Sequence, residues 1–247
     1  MMQRRSFLAL GGASILAFGA TGVRAQTTPT HARASSPGGV LTVEAFTDND
    51  GRPMYAVLRQ GRMVVAPSKL GFLLTDAPAL ERGLAITAGQ PVTMDETWEQ
   101  PWGERRFIRN HYNEWRVSYA ETAGLQRRVD VVFRLYDDGL GFRYEFPDQA
   151  ALKTVRIGSE ITEFNLAEDG EAIWCPAWEW NREEYLYSRT PISAVGSAQT
   201  PMTVKGQSGL HVSIHEAACI DYAGMNLRRS EETKFRAQLT PGLTNAA

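Results

Sequence analysis

The feature of this sequence that most limits its fold is apolar residues recurring at every second position, in short runs broken by Asp, Asn and Gly. Leu41-Thr42-Val43-Glu44-Ala45-Phe46 alternates, Asp48-Asn49-Asp50-Gly51 marks a turn, and Met54-Tyr55-Ala56-Val57-Leu58 resumes before Gln60-Gly61. Trp115 to Tyr119 and Val129 to Leu135 follow the same rule, and Tyr136-Asp137-Asp138-Gly139 supplies a hairpin turn into Gly141 to Phe146. Met202 to Lys205, Leu210 to His215 and Lys234 to Leu239 extend the series. A strand sends successive side chains to opposite faces, so this period suits half-buried strands and cannot hold a helix against a core. The expectation is an all-β chain, a large antiparallel β-sandwich with more than about ten short strands. No internal repeat interrupts it.

Composition narrows the partners. With 43% hydrophobic residues, 22 glycines and 12 prolines in 247 residues, the chain has the profile of one globular domain. A net charge of -2 gives no bulk attraction to phosphate backbones or an anionic membrane face, so no nucleic-acid partner is expected. Beyond the N-terminus nothing supplies the ~20 continuous apolar residues of a spanning helix, and the protein is not expected to be integral to a membrane.

Residues 1–25 have a charged start, a Gly/Ala-rich apolar centre from Gly11 to Ala20, and small residues at Val23-Arg24-Ala25. This is the layout of a secretory signal, and Arg4-Arg5 before Phe7-Leu8 fits the twin-arginine version of it; an ordinary signal with two adjacent arginines is the alternative. Either predicts a protein that is periplasmic or otherwise exported. Residues 26–38, polar and Pro-containing, read as a flexible leader, 39–240 as the folded β-sandwich domain, and 241–247 as a tail. An oxidising compartment permits a bridge between Cys175 and Cys219, but spacing alone does not decide it. Two cysteines and no Cys/His cluster exclude a structural zinc site.

Three stretches carry candidate chemistry. Glu96-Thr97-Trp98-Glu99-Gln100-Pro101-Trp102-Gly103-Glu104, followed by Arg109-Asn110-His111-Tyr112-Asn113-Glu114, sets indoles beside carboxylates, amides and guanidinium groups. Sugars stack their C–H faces on indoles and hydrogen-bond such groups, which makes Trp98, Trp102, Glu104, His111 and Asn113 candidates for carbohydrate contact. The same composition also suits an ordinary strand edge. From Ile173 to Arg189 aromatic residues, Trp178 among them, are interleaved with polar ones at neither period. A long loop is expected there, offering Trp178 to a ring-shaped ligand or covering one end of the core. In Leu210 to Ala218, alternation places Val212 and Ile214 inward and His211, Ser213 and His215 outward. Continued two residues, the strand would turn Glu216 inward, where a carboxylate must be paired, protonated or bound to a hard cation such as calcium. If the strand stops at His215, Glu216 is a solvated loop residue.

These same segments closely resemble the N-terminal domain of glycoside hydrolase family 97. The motifs are Asp95-Glu96-Thr97-Trp98 with Pro101-Trp102-Gly103-Glu104, Arg109 to Glu114, Phe133 to Gly139 with Phe142-Arg143-Tyr144, and Tyr185-Leu186-Tyr187 before Thr190-Pro191. They continue through Thr200-Pro201 and Ile214-His215-Glu216-Ala217-Ala218 with Asp221-Tyr222-Ala223-Gly224-Met225. The resemblance covers about Val40 to Leu239, in the family's order. It implies a β-super-sandwich of the galactose-mutarotase type, set before a (β/α)8 barrel that carries the catalytic carboxylates of exported bacterial α-glucosidases or α-galactosidases. It further implies that the matching residue, Glu216, is one ligand of a calcium ion at the barrel mouth.

The sequence after Leu239 departs from that pattern, and the chain is expected to stop short of the barrel. No catalytic residue and no hydrolysis are then expected of it, because one carboxylate cannot supply an acid and base pair. Calcium binding by it alone should be weak or absent, and its partners should be the missing barrel and an α-linked glucoside or galactoside oligosaccharide. A standalone carbohydrate-binding module is the alternative, and a mutarotase-like sugar epimerase using His111, His215 and Glu216 is a more distant one.

Overall fold

The computed structural model describes residues 31–178, 185–220 and 222–240. The expected signal sequence, the start of the expected leader and the C-terminal tail lie outside the described residues. In chain order the strands are β1 (His31–Ser35), β2 (Leu41–Thr47), β3 (Pro53–Arg59), β4 (Arg62–Lys69), β5 (Phe72–Leu74), β6 (Leu84–Ala88), β7 (Val92–Glu99), β8 (Phe107–Glu121), β9 (Arg128–Leu135) and β10 (Leu140–Glu145). They continue as β11 (Ile157–Glu160), β12 (Glu163–Leu166), β13 (Gly170–Trp174), β14 (Ser188–Pro191), β15 (Ser197–Gln199), β16 (Met202–Gly206), β17 (His211–Ile214), β18 (Met225–Glu231) and β19 (Lys234–Leu239). A single 3-10 turn, Ile192–Ala194, interrupts the strands among the described residues.

The expected antiparallel all-β sandwich forms, with one large sheet and two smaller covers. The large sheet has eight strands in the order β1-β2-β3-β4-β12-β19-β18-β15. A second sheet, β10-β9-β8-β6 with β7 added on β8, covers one half of it, and β14-β13-β16-β17 covers the other. Each half has its own core. Val43 and Ala45 of β2, Tyr55 of β3, Trp115, Val117 and Tyr119 of β8 and Val129, Val131, Phe133 and Leu135 of β9 fill the first. Leu166, Ala172, Met202, Val204, Ile214, Leu227 and Phe235 fill the second. In β2 every odd-numbered residue from Leu41 to Thr47 is buried and the even ones face outward, as the period requires. Fully burying each large apolar side chain contributes about 1.5–3 kcal/mol.

The turn chemistry follows the sequence. Asp48 Oδ1 accepts from the amides of Asp50 and Arg52, closing the β2–β3 turn. Gln60 and Gly61 take φ of 50° and 77°, the left-handed pair that a two-residue hairpin needs.

Two expectations need correction. The leader does not run to residue 38, because His31–Ser35 is strand β1, paired in register from His31 with Phe46 to Ser35 with Thr42. Its polar composition suits an edge strand with one face in solvent, and only Ala34 is fully buried. The stretch from Ile173 to Arg189 is not wholly a loop either: its ends belong to β13 and β14, which pair from Glu171 with Pro191 to Trp174 with Ser188. The short strands carry too few residues to show a period. Cys175 is buried and Cys219 exposed, both as free thiols.

Candidate functional site

Two places bear the candidate residues, and they lie on different parts of the fold. The first is a two-stranded ribbon. β8 is 15 residues long; from Tyr112 onward it buries side chains against the body, while Phe107 to His111 runs out beyond it, and β7, none of whose residues is buried, pairs along Phe107 to Glu114. Register pairs Val92 with Glu114, Met94 with Tyr112 and Trp98 with Ile108, so those side chains share one face. The opposite face pairs Asp95 with His111 and Thr97 with Arg109. Arg109 grips Asp95 with two bonds of 2.8 and 2.7 Å, and this guanidinium holds the Asp95 carboxyl below the usual carboxylate range.

Trp98 and Trp102 are 46% and 82% exposed, and Trp102 and Glu104 sit at the ribbon's tip, where Gln100 Nε2 donates to Arg105 O at 2.6 Å. Asn113 is committed to structure: its Oδ1 accepts from Thr93 and its Nδ2 donates to Ser35 O of β1, both at 2.7 Å. Together these residues form an exposed aromatic arm rather than a cavity.

The second place is the opposite end of the large sheet, around β15, β18 and β19. β17 ends at Ile214, with Ile214 buried and His211 and Ser213 exposed as the alternation predicted. Although the strand stops, Glu216 is neither extended strand nor solvated loop. It turns back, half-buried, to accept the backbone N–H of Met225 at the start of β18 on Oε1, and the Thr200 hydroxyl on Oε2 at 3.1 Å. Trp178 reaches the same strand pair: its indole N–H donates to Gln238 at 3.3 Å, and Gln238 is opposite Asn226, next to Met225. Its φ of 72° is a left-handed backbone that a bulky side chain rarely adopts, and such strain concentrates at functional positions.

Glu216 and Trp178 are thus brought to one sheet end, while Trp98, Trp102, Glu104, His111 and Asn113 are gathered on the ribbon. Among the described residues no hydrogen bond, ion pair or ring contact joins the groups. Five of the six sugar-contact candidates thus lie on the ribbon and Trp178 lies after β13.

The two connections that carry Trp178 and Glu216 also carry exposed apolar side chains. Trp178, Leu186 and Tyr187 on the β13–β14 connection and Ile220 and Tyr222 on the β17–β18 connection are all exposed. Beneath them is a polar cluster that hydropathy patterns could not find, since it is made of residues ordinarily exposed. Glu160, 7% exposed, accepts from Thr162 Oγ1 at 2.5 Å and from Tyr222 OH at 2.7 Å. Burial pushes the Glu160 carboxyl up and raises the Tyr222 hydroxyl as well. The one sequence signal was Tyr222 itself, inside the motif Asp221 to Met225.

Among the described residues, no three of His, Cys, Asp and Glu come together as a metal site. Calcium takes six to eight oxygens, of which one carboxylate such as Glu216 could supply at most two. Nor does any helix among the described residues have the length and apolarity to cross a membrane.

Comparison with known proteins agrees with this architecture. A structure of a glycoside hydrolase family 97 enzyme from Pseudoalteromonas sp. strain K8 in complex with acarbose superposes with a TM-score of 0.80 and 37% identity, over 85% of this chain and 32% of that one. A panose complex from the same source gives the same values. A β-arabinopyranosidase structure, at 21% identity and a TM-score of 0.74 over 84% of this chain, shares the fold. A probable retaining alpha-galactosidase of Streptomyces bingchenggensis (strain BCW-1) is 28% identical over 165 residues, 67% of this chain and 24% of that protein. The chain therefore spans about a quarter to a third of the relatives it matches. Residues 34–243 match the family described as Glycosyl-hydrolase 97 N-terminal, and the chain belongs to that family.

Proposed function

We propose that this domain serves an exported family 97 α-glycosidase as a non-catalytic front module, docking on the catalytic barrel and lending it Glu216 as one calcium ligand. The observation that carries this reading is the setting of Glu216: a carboxylate aimed by Met225 and Thr200, on a connection that also exposes Ile220 and Tyr222. Apolar patches of that kind are interaction surfaces. A carboxylate aimed by Met225 and Thr200 keeps lone pairs for a cation presented by the partner. Export is supported by the layout of residues 1–25. The sugar partner is supported by the acarbose and panose complexes of the Pseudoalteromonas enzyme.

The test is a fusion in which residues 34–240 replace the N-terminal domain of a family 97 α-glycosidase. Glu216→Gln in that fusion should weaken calcium affinity at least about tenfold, measured by calorimetric titration of the metal-stripped protein. Unchanged affinity would remove Glu216 from the ligand set.

A second reading rests on the ribbon. Trp102, 82% exposed beside Trp98, can stack on a sugar ring without any partner domain. Maltose or melibiose binding that is saturable in the purified chain and lost in Trp102→Ala would support an independent binding role. Titration heats no larger than dilution would end it.

A further inference from the structure

The segment that carries Glu216 has little to hold it. From Ala217 to Ile220 every residue is exposed, and the next apolar anchor, Leu227, comes only after β18 has begun. A side chain of this segment does reach the interior: the Tyr222 hydroxyl, on an otherwise exposed ring, donates to Glu160 Oε2 at 2.7 Å.

Glu160 is an unusual partner. It ends β11, is buried, and has no Lys, Arg or His within ion-pair distance among the described residues. Its other oxygen accepts from Thr162 Oγ1 at 2.5 Å, and that hydroxyl meets Tyr144 OH at 2.6 Å, which in turn accepts from Gly71 N at 3.4 Å. Thr162 is tied to β19 through the Ala237 amide. The carboxylate is thus satisfied by two hydroxyl donors alone, and the inner one, Thr162, is tied to Tyr144 of β10 and Ala237 of β19. A buried carboxylate without a cation costs stability that an apolar side chain would not. Its use is therefore positional: a charged acceptor makes the strongest bond available to a hydroxyl arriving from the surface.

We infer that Glu160 and Tyr222 form an anchor that pins the β17–β18 connection to the sheet and so sets the direction of the Glu216 carboxylate. Glu216 lies six residues before Tyr222 and is bonded to Met225, three residues after it, so the anchor divides a loop whose two ends the carboxylate closes. Both are positioning residues. Their consequence for calcium rests on Glu216 being a ligand, but the anchor itself does not.

The amide of Met225 reads the anchor directly, because its acceptor is the Glu216 carboxylate. Hydrogen exchange measured by NMR on the purified chain without calcium should be at least about tenfold faster at Met225 in Tyr222→Phe and in Glu160→Ala. The double variant should be no faster than Glu160→Ala, since that change already removes the Tyr222–Glu160 bond. Amides of β9, in the other core, should exchange as in the parent chain. Unchanged protection at Met225 would overturn the proposal, as would equal acceleration in β9, which would mean general destabilisation. If Glu216→Gln leaves calcium affinity of the fusion enzyme unchanged while Met225 still responds to Tyr222→Phe, the metal reading falls and the anchor stands.

Discussion

Replacing Arg127 by alanine is expected to cost about 3–5 kcal/mol, because it removes a buried guanidinium with its three hydrogen bonds and leaves the part-buried Glu121 carboxylate without its cation. The Arg127 side chain is 1% exposed. It clasps Glu121 through Nε at 3.0 Å and Nη2 at 2.5 Å, and Nη1 donates to Pro78 O at 2.8 Å. The pair closes the turn between β8 and β9 and ties it to the loop after β5. The Arg127 guanidinium holds the Glu121 carboxyl below the usual carboxylate range. For a group whose folded pKa is depressed, the stabilisation is fully present above the unfolded value and is lost as pH falls through the folded one. The parent chain should therefore lose stability as pH drops below about 4. Arg127→Ala should be less stable at neutral pH and show a smaller further loss on acidification. Denaturant unfolding at pH 7 and pH 3.5 checks both, and equal slopes with pH in the two proteins would contradict the assignment.

Trp115→Ala is the second large effect, also about 3–5 kcal/mol. Trp115 is 1% exposed, packs on Phe133 with ring centroids 5.7 Å apart, and donates its indole N–H to Gly89 O at 3.0 Å. Truncation opens a cavity in the first core and leaves that carbonyl without its donor. A domain of this size shifts its Tm by about 2–4 °C per kcal/mol, so a fall of roughly 10 °C is expected in calorimetry. Trp115→Phe, which keeps most of the volume, should cost much less. A fall of only a degree or two in Trp115→Ala would mean that β8 does not support the core as described.

Much of this fold was legible because both of its determinants are local. Alternation in Leu41 to Thr47 and Val129 to Leu135 fixes which face is buried, and Gln60-Gly61 and Tyr136 to Gly139 fix where the chain reverses. The division of the sandwich into two cores was not legible, since nothing in Phe235 or Leu227 says which cover they meet. The ribbon was missed for the opposite reason: β7 buries neither face, so Val92 to Glu99 offers no contrast between inside and outside.

The site was half legible. Glu216 stood out as an acid following an apolar alternation, and the structure turns it inward by a route the strand period could not foresee, a chain reversal closed by Met225 and Thr200. Trp178 was visible only as one aromatic among several. Glu160 and Thr162 were invisible, because their burial depends on a hydroxyl arriving from 62 residues away.

The central claim is that this domain contributes to catalysis only when joined to a barrel. It is tested most directly by hydrolysis of nitrophenyl α-glucoside and α-galactoside by three purified proteins: the chain alone, a family 97 barrel alone, and the fusion of residues 34–240 to that barrel. The account predicts no turnover by the chain, and activity in the fusion at least about tenfold above the barrel alone. Turnover by the chain itself, or a barrel indifferent to its presence, would contradict it.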